Sequence, residues 1–280
     1  MPKTPPPAPP VPPPVPPPPP LIEVRDLRVE RERVILDGIN WRVRAGENWV
    51  LLGANGSGKT SLLAVLTGYL AESAGSVSIA GATRGEDDWR ELRKRVGLVS
   101  AAFDRRVAGD ESALAVVAGG RSARVNLFRE PSPAERRGAL ALMRRTRCEH
   151  VATQPWRTLS QGERQRALVA RALFSGLDVL ILDEPCAGLD PRSREEFLAL
   201  LGELATGGTT GDAPVPLVLV THHVEEITPV FTHALLLREG RVLAAGPLRP
   251  TLTAGNLSAL FDAPARLRKT GGRYALTLTT

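Results

Sequence analysis

The sequence predicts an α/β protein: a mainly parallel sheet core with flanking helices, joined by an antiparallel β subdomain and a helical subdomain. Three observations carry this. Apolar runs at Val96–Val99, Val179–Leu182, Leu217–Val220 and Ala234–Leu237 are continuous rather than alternating, as expected of strands covered on both faces. A further short run, Trp49–Leu52, breaks at Gly53 into a glycine-rich loop, GANGSGKT, from which a helical pattern starts at Lys59. Between Ala101 and Arg157 no strong strand pattern appears, and Ala, Arg, Glu and Leu dominate.

The elements follow in order. Residues 1–20 are mostly proline, which supplies few backbone donors and cannot build a packed core, so a disordered, extended tail is expected. Leu21–Val29 and Val34–Val43 mix apolar and charged residues with short periods, as half-exposed antiparallel strands do. After the glycine-rich loop, Leu62, Leu63, Leu66 and Leu70 share one helical stripe. Within the helical insertion at about 101–157, Pro131 and Pro133 open a helix-like run to Arg147. Ser160 and Glu163 have capping-box spacing at the start of a helix whose stripe includes Leu168, Ala172 and Leu173. Thr206–Pro216 reads as a surface loop, Glu239–Gly240 as a hairpin turn, and the chain closes with a helical stretch and a short strand, YALTLT. The ordered domain is expected at 21–262, with 263–280 as a C-terminal extension.

With 280 residues and 42% hydrophobic content, the chain is long enough to bury a sizeable core. No window approaches the roughly 20 apolar residues that span a bilayer, and no signal-peptide pattern opens the sequence, so a cytoplasmic protein without its own transmembrane segment is expected. Cys148 and Cys186 are far apart and lack CxxC spacing, which suggests neither a zinc cage nor a disulfide framework. The formal charge of +6 comes mostly from scattered arginines; a solvated surface accounts for it, and nucleic acid is not the expected partner.

Four segments carry chemistry. In Gly53–Thr60, glycines let successive N–H groups curl round a pyrophosphate, Lys59 reaches the β- and γ-phosphates, Thr60 fills a magnesium position, and Ser61 is in reach of the α-phosphate. Asp183 ends a buried apolar strand, where its charge calls for a cation such as Mg2+. Glu184, directly after it, is able to orient and polarise a water that attacks the γ-phosphate. At the N-terminus of the helix that precedes that strand, Ser160 and the bare backbone of Gly162 make either a simple helix start or an anion site. His222, at the end of LVLVT, is placed to touch a γ-phosphate, with His223 beside it as the alternative.

As a set these segments resemble the ATP-binding cassette (ABC) family: a Walker A loop, an LSGGQ-type signature (LSQGE, Leu159–Glu163), a Walker B strand ending in DEP, a D-loop at Ala187–Asp190 and a switch histidine, spread over about Leu21 to Asp262. The resemblance implies a P-loop NTPase fold of ABC type that uses ATP and Mg2+. Carried over position by position, Gly53, Asn55, Gly56, Ser57, Gly58, Lys59, Thr60 and Ser61 would bind nucleotide, Thr60 and Asp183 the metal. Glu184 would be the catalytic carboxylate and His222 the γ-phosphate sensor, while Ser160 and Gly162 would close on nucleotide held by the other protomer. A homodimer or a paired ABC subunit is implied, together with a membrane permease subunit on the inner face of the cell membrane. The alternative is a soluble ABC-type ATPase acting on a cofactor-assembly complex or nucleic acid. Finer wording, such as TLSQGERQR and DEPCAGLD, is similar to ATPase components of molybdate-type importers. Two positions depart from the family pattern. Ala101 stands where the Q-loop glutamine is expected, and no aromatic lies near Glu30 or Arg31 to stack on adenine, leaving Arg31 or Arg33 for that place.

Overall fold

The computed structural model describes residues 18–85, 87–88, 94–208 and 213–279. Nearly all of the expected proline-rich tail, and residues 209–212 of the expected surface loop, lie outside the described residues.

The main sheet has six strands. Strands β3 (Trp49–Leu52), β6 (Val96–Ser100), β7 (Val179–Asp183), β8 (Leu217–Thr221) and β9 (His233–Arg238) run parallel, and β10 (Arg241–Pro247) pairs antiparallel with β9, in the order β10-β9-β3-β8-β7-β6. A second, antiparallel sheet has the order β2-β1-β4-β5, formed by β1 (Ile22–Glu30), β2 (Val34–Val43), β4 (Ala74–Ile79) and β5 (Ala82–Thr83).

The continuous apolar runs are explained by two cores, one on each face of the main sheet. Along β7, Val179 and Ile181 enter one core while Leu180 and Leu182 enter the other; on β8, Val218 and Val220 part in the same way from Leu217 and Leu219. Successive side chains on a strand point to opposite faces, so a strand buried on both sides has no polar position to alternate with. The first core is shared with the antiparallel sheet and with helix α1 (Lys59–Leu66). The second is covered by α3 (Ala113–Ala118), α4 (Pro133–Arg145), α5 (Gln161–Leu173) and α6 (Pro191–Thr206), with α2 (Ala101–Asp104) directly after β6.

Local sequence sets the ends of these elements. Gly68 at φ 73 stops α1, and Tyr69 N–H bonds back to the Ala64 carbonyl at 2.8 Å. Leu70 therefore lies beyond the helix whose stripe it was expected to extend, although it still packs against the first core. Ser132 and Ser160 cap α4 and α5, each in a complete capping box with a glutamate three residues on. The turn at Glu239–Gly240, with φ of 50° and 75°, links β9 to β10 as a tight hairpin.

At the N-terminal margin of the main sheet, buried Asn48 ties three strands together. Its Oδ1 accepts from the Leu217 amide at 2.9 Å, its Nδ2 donates to the Val230 carbonyl at 3.2 Å, and its own carbonyl accepts from Thr232 and His233. The sequence predicted neither β4–β5 nor the first strand of the C-terminal hairpin. After α7 (Leu248–Thr251) and α8 (Ala254–Phe261), β11 (Ala265–Thr270) pairs antiparallel with β12 (Arg273–Leu278), so the expected lone terminal strand has a partner.

Candidate nucleotide site

The site lies at the C-terminal ends of β3, β7 and β8, where parallel strands hand over to loops and a helix N-terminus. The loop after β3 is shaped by close packing. A Cβ at Gly53 would come within 2.4 Å of Ser57 Oγ and 2.5 Å of the Leu237 carbonyl, and one at Gly58, held at φ +105, within 2.7 Å of a Leu36 methyl. Lys59 folds back over this loop, its Nζ donating to the carbonyls of Gly53 and Ala54 at 2.9 and 3.2 Å. Burial holds its ammonium below the usual lysine range, against the opposing pull of Glu184 and Asp183.

Asp183 and Glu184 enter the same cleft from β7. Burial raises the Asp183 carboxyl, and the neighbouring Glu184 charge raises it further, with Lys59 opposing. Glu184 sits in the left-handed region at φ 48, its amide bonded to the Val220 carbonyl at 2.8 Å, a conformation costing about 1–3 kcal/mol that recurs at functional sites. Its Oε1 lies 4.0 Å from Lys59 Nζ and 3.1 Å from His222 Nδ1. Of the two adjacent histidines, His222 is the one that reaches Glu184; His223 is exposed.

Lys59, Asp183 and Glu184 border a cleft of about 570 Å3 that Asn55, Gly56, Gly58, Thr60 and Ser61 also line; Gly53, Ser57 and His222 are not among its lining residues, His222 reaching it through Glu184. The groups present suit a triphosphate carrying Mg2+: a lysine, a helix N-terminus after a glycine loop, a hydroxyl at Thr60, and the half-buried carboxylate of Asp183, with Lys59 as its neighbouring cation. Buried Ser57 Oγ has no hydrogen-bond partner among the described residues, a spare polar atom within the loop.

Arg33 lines this cleft, whereas Arg31 is turned away, its guanidinium bonded to the carbonyls of Glu30 and Ala71. Of the two arginines that the sequence left open, Arg33 is thus the one at the cleft. Ala101 also faces the cleft, presenting a methyl group where an amide was expected. Arg105, one turn further, lines the same wall and was missed by sequence reasoning, because no local pattern marks a residue that α2 alone brings there.

Ser160 and Gly162 are not among the residues around this cleft. They stand at the start of α5, where Ser160 Oγ donates to Glu163 Oε2 at 2.7 Å and accepts from the Glu163 amide at 3.3 Å. A Cβ at Gly162 would face Ser193 at 3.7 Å and Leu189 at 3.9 Å, so this helix start lies against the Ala187–Asp190 turn. Asp190 caps α6, accepting from the amides of Arg192 and Ser193.

The profile of the ABC transporter family matches residues 36–187, and a profile described as an AAA domain matches residues 149–228. The chain is 41% identical to YlmA, an uncharacterized ABC transporter ATP-binding protein of Bacillus subtilis, over 87% of this chain and 91% of that protein. It is 36% identical to the hemin import ATP-binding protein HmuV of Streptomyces coelicolor, covering 84% of this chain and 80% of that one. Among solved structures, cbiO1 from Clostridium perfringens, part of the ABC transporter complex cbiONQ, superposes with a TM-score of 0.71 at 26% identity over 86% of this chain and 93% of the other. The family match takes in the phosphate loop and the acidic strand end, and the chain belongs to the ABC transporter family of ATP-binding proteins.

Proposed function

We propose that the chain is the ATP-hydrolysing subunit of an ABC transporter, working at the cytoplasmic face of a membrane beneath a separate permease. The observation that carries this is the contact of Glu184 with both Lys59 and His222 at the end of a strand stack that also delivers Asp183 and the glycine loop. Lys59 and the amides at the start of α1 would hold the β- and γ-phosphates, with Asn55, Gly56, Ser57, Gly58 and Ser61 shaping the cradle. Thr60 and Asp183 would hold Mg2+, which when bound neutralises phosphate charge. Glu184 orients the attacking water and takes its proton, and His222, hydrogen-bonded to Glu184, faces the terminal phosphate.

Ser160 and Gly162 do not line their own cleft, which supports a role on nucleotide held by a second cassette, whether another copy or a sibling. Among the described residues no helix is long and apolar enough to cross a membrane. A distinct permease subunit fits that, as does the description of cbiO1 as part of a larger complex.

The test is phosphate release from ATP by the purified full chain, with and without Mg2+, together with identification of proteins that copurify with a tagged copy from membranes. Magnesium-dependent release and a polytopic membrane partner are expected. Absence of release, alone or with that partner, overturns the enzymatic assignment; a soluble complex in place of a permease overturns the transport assignment.

A further inference from the structure

The C-terminal hairpin β11–β12 lies apart from the nucleotide cleft, yet Arg273 at the start of β12 grips two segments that serve it. Its guanidinium donates to both carboxylate oxygens of Glu195, at 3.0 and 3.1 Å, and to the Glu225 carbonyl at 2.7 Å. The Glu225 carboxylate in return accepts from the Leu276 amide at 3.3 Å. Gly272, at φ +84, approaches Pro229 so closely that a Cβ would lie 2.9 Å from its ring, and Tyr274 is buried in the second core. The hairpin is therefore seated on the body of the domain.

Both gripped residues are near the chemistry in sequence. Glu195 belongs to α6, the helix capped by Asp190 directly behind the Ala187–Asp190 turn. Glu225 lies in the 3-10 turn Val224–Glu226 that begins two residues after His222. Val224 and Ile227 anchor that turn in the second core, but its polar groups are only partly satisfied. Its own backbone bonds are Glu226 N–H to His223 at 3.3 Å and Ile227 N–H to Val224 at 3.1 Å, and Glu226 Oε2 and Thr228 Oγ1 are buried without a hydrogen-bond partner among the described residues. An arginine suits the task of holding it from outside, since its planar fork satisfies a carboxylate with two parallel bonds and has a donor left for a carbonyl.

We propose that Arg273 is a positioning residue for His222. By binding Glu195 and Glu225 together it fixes the turn that follows His222 against α6, and so sets the His222–Glu184 contact. Resting on the hydrolytic roles proposed for Glu184 and His222, the hairpin thereby couples two segments that flank the bound nucleotide, and makes them move as one when cassettes close.

The test is a double-mutant cycle in the full chain: Arg273→Gln, Arg273→Lys, His222→Ala, and Arg273→Gln combined with His222→Ala. Turnover, KM for ATP, affinity for a fluorescent ATP analogue and thermal midpoint are measured for each. Arg273→Gln is expected to lower kcat about ten- to a hundredfold with KM and affinity nearly unchanged, and to have no further effect once His222 is gone. Arg273→Lys, which retains the charge but not the fork, should fall between. An equal loss in both backgrounds, or a folded Arg273→Gln protein with wild-type kcat, overturns the proposal. Wild-type turnover in His222→Ala would instead overturn the role assigned to His222, and this proposal with it. Should Arg273→Gln fail to fold, Glu195→Gln removes the same bidentate contact and carries the same expectation.

Discussion

Replacing Glu184 by glutamine isolates chemistry from binding. The amide retains the side chain's size and one oxygen acceptor at 3.1 Å from His222 Nδ1, but removes its negative charge and basicity. Losing a positioned base typically costs about 10²–10⁴ in rate, or about 3–5 kcal/mol of barrier. The effect on nucleotide affinity is smaller. Unit charges at the 4.0 Å separation of Glu184 and Lys59 attract by about 4 kcal/mol at an effective dielectric near 20, and solvent reaching the 36% exposed glutamate screens this to about 1 kcal/mol. Against that loss, removal of Glu184 relieves repulsion toward Asp183 and toward a polyphosphate. Affinity should therefore stay within about fivefold of wild type or tighten. Phosphate release, equilibrium binding of labelled ATP, and sizing chromatography with Mg-ATP measure the three consequences. The expected result is near-zero turnover, retained binding, and a species of twice the 30.0 kDa chain mass. Turnover within about threefold of wild type would refute the role assigned to Glu184.

Two further outcomes are expected. A carboxyl whose folded pKa is raised favours the folded state while protonated, and its charging withdraws stability as pH rises through that value. Asp183 is such a group, so Asp183→Asn should abolish Mg2+-dependent turnover yet raise the melting temperature at pH 7, with the gain shrinking as pH falls. Calorimetry at both ends of that range checks it, and a gain that grows on acidification would contradict the burial argument. For base recognition, Arg33→Ala should raise KM for ATP about fivefold with kcat little changed, as loss of about 1 kcal/mol of stacking requires, and Arg33→Tyr should restore it. Arg31→Ala, whose guanidinium is committed to two carbonyls, should leave both parameters alone, and equal effects at the two positions would dismiss the distinction.

Sequence legibility followed the range of the forces involved. Strand β3, the capping box at Ser160 and the proline start of the helix at Pro133 are local, and their residues announce them; the parallel strands announce themselves by lacking any polar alternation. Strand β4 escaped because Val77 and Ile79 are its only fully buried residues, and its partner β1 lies about fifty residues earlier. Strand β11 escaped because Arg266, Arg268 and Lys269 are exposed, so charge hides an alternation that pairing with β12 creates. The same holds in the site. Lys59, Asp183 and Glu184 come to one cleft from two motifs, whereas the placing of Arg31 away from it depends on the Ala71 carbonyl forty residues on, and the grip of Arg273 on Glu195 spans seventy-eight.

The Asn48 knot ties one margin of the main sheet together. Every hydrogen bond it makes lies at the ends of β3, β8 and β9 remote from the phosphate loop, while Glu184 and His222 occupy the opposite rim. A shift of β3, β8 or β9 along its neighbours in response to events at that rim would have to break these bonds, so the two ends of the strands are held in one register.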